Sequence, residues 1–333
     1  MARAFDHRHA GHCETGTLSA LLRDRGLDLG EPMVFGLGGG VFFVHLPFVR
    51  ASGMTLTAYR DLPGAIMRRA CRRLGIGLKV QRFRSEEQGE ARLDSLLAAG
   101  NSVGLRTSVY WLPYFPKEMR FRFNAHHLVV FSREGEEYLV SDPVFDHVER
   151  CPAADLRRAR FAKGLFAPKG LLFYPERIPR DFDLSRAVRK SIRHTCRRMT
   201  ASPVPFIGVR GIRYLARQMR KWPAKLDYGD AVLNVGTVVR MQEEIGTGGA
   251  GFRFMYAAFL CEAAEVAGLP ALRDAGQAMA DVGDRWRDFA VKGAQLCQGR
   301  LRGSAVFDEL ASMLEDCADR EEGLYRRLLT IVG

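Results

Sequence analysis

The chain has no apolar run near the ~20 residues that a membrane-spanning helix needs, so no membrane span is expected. Its opening residues carry Arg3, Asp6, His7, Arg8 and His9 in place of the apolar stretch of a secretory signal, and the expected location is the cytoplasm. Cysteine is sparse. The seven residues are odd in number, scattered and without a C-x-x-C pair, which excludes a disulfide framework and a zinc ribbon. His7, His9 and His12 lie close together but lack a fourth ligand and a fixed scaffold, so no metal is expected. The Gly36-Leu-Gly-Gly-Gly40 stretch has neither the Lys-Ser/Thr of a P-loop nor the strand-before, helix-after setting of a dinucleotide fingerprint. It reads as a tight turn near the active site, leading into a strand, and no bound cofactor is expected. No repeat, low-complexity tract or known nucleic-acid motif is present.

What the chain does have is charge, unevenly placed. Its net +12 comes from one segment: residues 150–225 hold 20 basic and 4 acidic residues. Residues 1–149 are nearly balanced, and residues 226–333 are acidic on balance. The basic segment would attract an acidic partner: nucleic acid, an anionic membrane or an acidic protein such as an acyl carrier. Its bland reading is a solvated helical face.

The segment Ala125-His-His-Leu-Val-Val-Phe131 is answered after Arg133-Glu-Gly-Glu136 by Glu137-Tyr-Leu-Val-Ser-Asp142-Pro143, a β-hairpin pattern. A turn centred on Glu134-Gly135 sets Phe131 against Tyr138, Val129 against Val140 and His127 against Asp142. Opposed residues have Cβ atoms roughly 5 Å apart, so His127 is expected beside Asp142, with His126 on the opposite face. Cys13 falls at or just before the start of a helix over 14–25, ended by Gly26. There the helix dipole favours a thiolate, and the unpaired N–H groups can receive an oxyanion. Cys before His before Asp is the order of papain-like cysteine enzymes. The expected triad is Cys13, His127 and Asp142. Taken singly, each has a structural reading as core cysteine, core histidine or turn aspartate. His7 or His12 is a candidate oxyanion donor. Cys71, Cys261, Cys297 and Cys317 read as core. Cys196 lies among Arg193, His194, Arg197 and Arg198, which would lower its pKa.

Strand and helix signals alternate up to Gly170-Leu-Leu-Phe-Tyr174, and Pro175 and Pro179 mark a boundary. After Leu184 only helical periodicity remains, over 184–199, 206–221, 228–245, 252–267, 271–299 and 304–331, with a break at Gly246-Thr-Gly-Gly-Ala-Gly251. The expected fold is α+β: a papain-like cysteine-enzyme domain over 1–180, then a helical domain over 181–333.

Gly11-His12-Cys13, Glu31, Phe35-Gly-Leu-Gly-Gly-Gly40, His127-Leu-Val-Val130 and Ser141-Asp142-Pro143 resemble the N-terminal domain of the butirosin-biosynthesis H-type acyltransferases. Gly246-Thr-Gly-Gly-Ala-Gly-Phe-Arg-Phe-Met-Tyr256 and Phe259-Leu-Cys-Glu-Ala263 resemble its helical companion domain. The resemblance implies acyl transfer from an acyl-carrier-protein thioester to an amine, in specialised metabolite biosynthesis, through a Cys13 acyl-enzyme. The carrier would bring its own phosphopantetheine arm and dock on the 150–225 segment. Glu31 would bind the amine or brace its loop, and Gly38, Gly39 and His12 would line the substrate site. Nothing in the sequence marks an aminoglycoside pocket, so the amine stays open, as does a homodimer. Two other readings stay open. One is a cysteine peptidase or amidohydrolase with the same triad. The other is a basic nucleic-acid-binding or scaffold protein, indifferent to loss of Cys13.

Overall fold

A computed structural model describes residues 4–51, 54–245 and 248–333. The helices are α1 (Cys13–Asp24), α2 (Glu31–Leu37), α3 (Ala65–Leu74), α4 (Glu86–Ala98), α5 (Ala153–Arg160), α6 (Leu184–Thr200), α7 (Gly208–Lys225), α8 (Tyr228–Glu243), α9 (Arg253–Ala267), α10 (Ala271–Cys297) and α11 (Ala305–Val332). The strands are β1 (Val44–Ala51), β2 (Met54–Ala58), β3 (Gly77–Gln81), β4 (Val103–Thr107), β5 (His126–Glu134), β6 (Glu137–Ser141), β7 (Glu149–Pro152) and β8 (Leu172–Arg177). The fold is α+β with a helical C-terminal region, as expected. No helix among the described residues is long and apolar enough to cross a membrane.

The chain forms two compact units. The first comprises residues up to Val34 and Pro63–Phe182; the second comprises Phe35–Leu62 and Asp183–Gly333. The sequence pattern suggests one continuous domain over 1–180, whereas residues 35–62 belong to the same compact unit as the helices after Asp183. Local pattern gives no notice of this: a two-stranded hairpin cannot bury both faces alone, and β1 and β2 are covered by α7 and α8.

In the first unit, six strands form an antiparallel sheet in the order β3-β8-β4-β5-β6-β7. One face carries the apolar core, with Leu105, Leu128, Val130, Val140 and Leu172 packed against Leu93, Leu96, Leu156 and Ala159 of α4 and α5. Helix α1 packs on β5 and β4. With both faces covered, Leu128, Val129 and Val130 are all fully buried, which is why β5 reads as a continuous apolar run.

In the second unit, α6 to α11 follow the periodic stretches within a few residues. Gly246 and Thr247 of the expected break lie outside the described residues. After them, Ala250, Gly251 and Phe252 all adopt positive φ, the left-handed turn that starts α9. Arg253 then enters the interior. Its guanidinium is fully buried and meets both carboxylate oxygens of Glu321, at 2.8 and 3.1 Å. Trp286 donates its indole N–H to the same carboxylate. A buried ion pair of this kind needs its remaining lone pairs satisfied, and here they are. The glycine stretch serves packing in this unit. A Cβ on Gly36 would lie 2.0 Å from the Phe259 ring, and Gly39 turns the chain at φ 60 while donating its N–H to the Gly36 carbonyl.

Candidate active site

The hairpin closes one residue later than the pattern suggests. Glu134 pairs with Glu137, and Gly135, at φ 59, forms the turn with Glu136. That shift alone would still set 127 on the face of Asp142. The decisive feature is a bulge: Val130 pairs with Val140, but Ser132 pairs with Leu139, so Phe131 is an extra residue in β5. One extra residue flips every side chain beyond it to the other face. Past the bulge, Leu128 falls opposite Asp142, and His126, two residues on, shares its face. The expected His127–Asp142 pair is therefore corrected. His126 Nε2 lies 2.7 Å from Asp142 Oδ2, while His127 pairs across to Arg106 and sets its ring edge-on to Phe173 at 5.8 Å.

Asp142 is completely buried. The Tyr114 hydroxyl donates to Oδ2 at 2.9 Å, and the Val144 N–H donates to Oδ1 at 3.1 Å. These bonds satisfy a carboxylate that would otherwise be costly to bury. Burial and the Asp142 charge hold the Tyr114 phenol well above its ordinary range, so it remains a donor. Tyr114 was not foreseen. Its bracketing prolines, Pro113 and Pro116, mark a rigid loop but give no partner. Phe115, next to it, meets the His126 ring edge-on at 5.5 Å.

Burial alone would lower the His126 pKa, but Asp142 and the Cys13 side chain outweigh it, and the net shift is upward. The imidazolium is thus favoured where a thiol and a carboxylate flank one ring. Since Nε2 faces Asp142, Nδ1 is the nitrogen left to exchange a proton with Cys13. Cys13 is the first residue of α1 and is largely buried. The first-turn N–H groups of a helix lack intrahelical partners, so the thiol sits beside donors suited to an oxyanion.

The loop before Cys13 is fixed from two sides. Glu31, the first residue of α2, accepts the Gly11 and His12 N–H groups, each at 2.8 Å, and the Thr15 hydroxyl at 3.1 Å. Burial raises the Glu31 pKa despite these donors. Both carboxylate oxygens brace the loop, the second of the two roles expected for it. His12 places Nδ1 2.9 Å from Thr15 Oγ1, so its ring belongs to the same brace. On the other side, the Ala10 N–H donates to the Pro143 carbonyl at 2.8 Å. His7 engages Ser141 Oγ through Nδ1 and the Phe145 carbonyl through Nε2. With both ring nitrogens taken, His7 is not the expected oxyanion donor; it ties the N-terminal segment to the end of β6. Gly16 allows the close approach, since a Cβ there would fall 2.5 Å from Ala10 Cβ and 3.0 Å from Pro143 Cβ. Glu14 accepts the Gly64 and Met67 N–H groups at 2.8 and 2.9 Å and so caps α3.

Gly38 and Gly39 belong to the second unit. The remaining cysteines divide differently from expectation. Cys71 and Cys317 are buried, Cys261 is half-buried, and Cys297 is exposed. Cys196 is buried on the apolar side of α6, and burial pushes its thiol up to about 12, the reverse of the lowering expected from its arginine neighbours. No group of three or more His, Cys, Asp or Glu side chains suited to a metal ion occurs among the described residues.

Two family models match the chain in succession. Residues 12–143 match the family model "Butirosin biosynthesis protein H, N-terminal", and residues 154–328 match "Domain of unknown function (DUF4872)". No curated protein matches. Among solved structures, a C39-like peptidase from Bacillus anthracis aligns at 14% identity with a TM-score of 0.35, over 53% of this chain and 92% of that one. The second model spans more than half of the chain, so the chain belongs to the DUF4872 family, and over residues 12–143 it matches the butirosin biosynthesis H family.

Proposed function

We propose that the protein is a cysteine-dependent acyltransferase that moves an acyl or aminoacyl group from a carrier-protein thioester to an amine, with Cys13 as nucleophile, His126 as acid and base, and Asp142 as the group that orients His126. The observation that carries this reading is the buried His126–Asp142 pair, with Cys13 acting on the same ring. The match to the butirosin biosynthesis H family supports a role in biosynthesis.

In the first half-reaction the Cys13 thiolate attacks the thioester carbonyl, forming a C–S bond and a tetrahedral oxyanion beside the α1 N-terminus. Collapse breaks the carrier's C–S bond. The leaving thiolate takes the proton held on His126, which leaves an acyl-enzyme and a neutral imidazole. In the second half-reaction the amine attacks the Cys13 thioester and gives its proton to His126. Loss of Cys13 as thiolate restores the starting pair of thiolate and imidazolium. Asp142 accepts Nε2–H throughout, so Nδ1 is the working nitrogen. The acidic carrier would dock on the basic 150–225 segment and supply its own phosphopantetheine arm; the acceptor is a small amine.

Intact-mass spectrometry with an acyl-loaded carrier tests this. The expected result is an adduct of the acyl mass, absent in Cys13→Ala and discharged faster by amine than by water. Equal loading of Cys13→Ala sinks the proposal, and discharge by water alone turns the reading to a hydrolase.

A further inference from the structure

The helical unit carries a cavity of about 600 Å³ lined by Phe42, Lys190, Arg193, His194, Arg197, Arg198, Ala201, Ser202 and Ile207. Every lining residue belongs to that one unit. Four are permanent cations, and none is a carboxylate. On α6, positions 190, 193, 194, 197 and 198 fall at helical spacing, so they form one stripe facing the cavity, and Ala201, the C-cap, extends it. The opposite side of α6 buries Val188, Ile192, Cys196 and Met199.

The cations are not equivalent. Arg198 pairs with both oxygens of Asp61, at 2.6 and 2.9 Å, and covers the Phe42 ring at 4.0 Å. Arg193 donates to the carbonyls of Val332 and Gly333. These two are held in place by the fold. Lys190 and Arg197 are exposed and form no hydrogen bond or ion pair among the described residues. Like charges three and four residues apart weaken a helix, and a concave wall concentrates their field. With two anchored and two uncommitted cations, and only Asp61 of Arg198 to offset them, the wall carries an excess of positive charge that an anion would relieve. The volume lies within the range of small-molecule sites, well beyond what one inorganic phosphate fills. Phe42, Ala201 and Ile207 add apolar surface for an organic portion. Ile207 is also the N-cap of α7, so that helix directs its positive end toward the same wall.

We propose that this cavity binds an organic phosphate ester, with Lys190 and Arg197 closing on the phosphate and Arg193 and Arg198 as its fixed floor. The proposal does not depend on the chemistry assigned to Cys13, and Cys13→Ala is expected to bind unchanged. The ester could be the phosphopantetheine of a carrier or a free nucleotide. Titration calorimetry of the full chain with 4′-phosphopantetheine, adenosine 3′,5′-bisphosphate and inorganic phosphate separates these sources. Binding of either ester, tighter than inorganic phosphate, supports the site and names its source. Lys190→Ala with Arg197→Ala should weaken that binding about 100-fold, tenfold for each charge-assisted hydrogen bond removed. Arg300→Ala, outside the cavity, should leave it unchanged. Both mutated side chains are exposed, so thermal melts should coincide with the wild type. The proposal is overturned if neither ester binds at millimolar concentration, if inorganic phosphate binds as tightly as both, or if the folded double variant binds like the wild type.

Discussion

One imidazole, chosen over its neighbour in sequence, is the centre of the proposed site. His126 lies against Asp142 and Cys13, whereas His127 points at Phe173. His126→Ala should slow acyl-enzyme formation by about 10²–10⁴-fold, the usual contribution of an acid–base group. His127→Ala should lower stability by about 1–3 kcal/mol, as buried truncations do, while folded protein keeps its loading rate within about tenfold. Loading followed by mass spectrometry beside denaturant melts separates the two; a reversed pattern would return the role to His127. The raised His126 pKa has a further consequence. A histidine whose folded pKa exceeds its unfolded value of 6.5 adds stability that is fully present below pH 6.5 and is lost as pH rises toward the folded value of about 10. The stability gap between wild type and His126→Gln should therefore be largest near pH 6 and shrink by pH 10. A gap that widens with pH in urea titrations would contradict a favoured imidazolium.

At the scale of elements, α1 and the end of β6 must sit close enough for Cys13 and Asp142 to share one ring. Gly16 permits that spacing. Gly16→Ala should overpack this approach, costing about 1–3 kcal/mol, and should also slow loading, because α1 is pushed from the Pro143 segment. A variant that melts lower yet loads at the wild-type rate would show that the spacing matters only for stability. In the helical unit, Glu321→Ala would leave Arg253 charged and buried without its carboxylate. Breaking such a pair costs about 3–5 kcal/mol, readable as a lowered denaturant midpoint; a change under about 1 kcal/mol would rule out an essential pair. The apolar periods of α6 to α11 were legible in the sequence because each helix buries one stripe. Helix α2 and β7 were not, since seven and four residues are too short to carry a period.

For the whole molecule, charge is the property most open to test. The excess of 16 positive charges over 150–225 should speed encounter with an acidic carrier. Raising salt from about 0.05 to 0.5 M shortens the screening length severalfold, so the association rate should fall by tenfold or more while the dissociation rate changes little. Stopped-flow mixing over that range checks it, and a salt-independent association rate would remove the basic segment from docking. The same scale shows why residues 35–62 read as part of the first domain. Their glycines and strands look like a continuation of the N-terminal pattern. Only the packing of Gly36 on Phe259 and of β1 on α7 assigns them to the helical unit.

The sequence by itself determined the α+β plan and the helical second half, pointed to the family, and named Cys13 and Asp142 for the proposed site. These follow from composition, period and short motifs, which are local. Tertiary structure decided the third member. A single extra residue at Phe131 changes which face a histidine occupies, and a bulge leaves no mark on the alternation of apolar side chains when both faces of the strand are buried. It also supplied Tyr114, whose hydroxyl reaches Asp142 across 28 residues of chain, a distance that no local pattern spans.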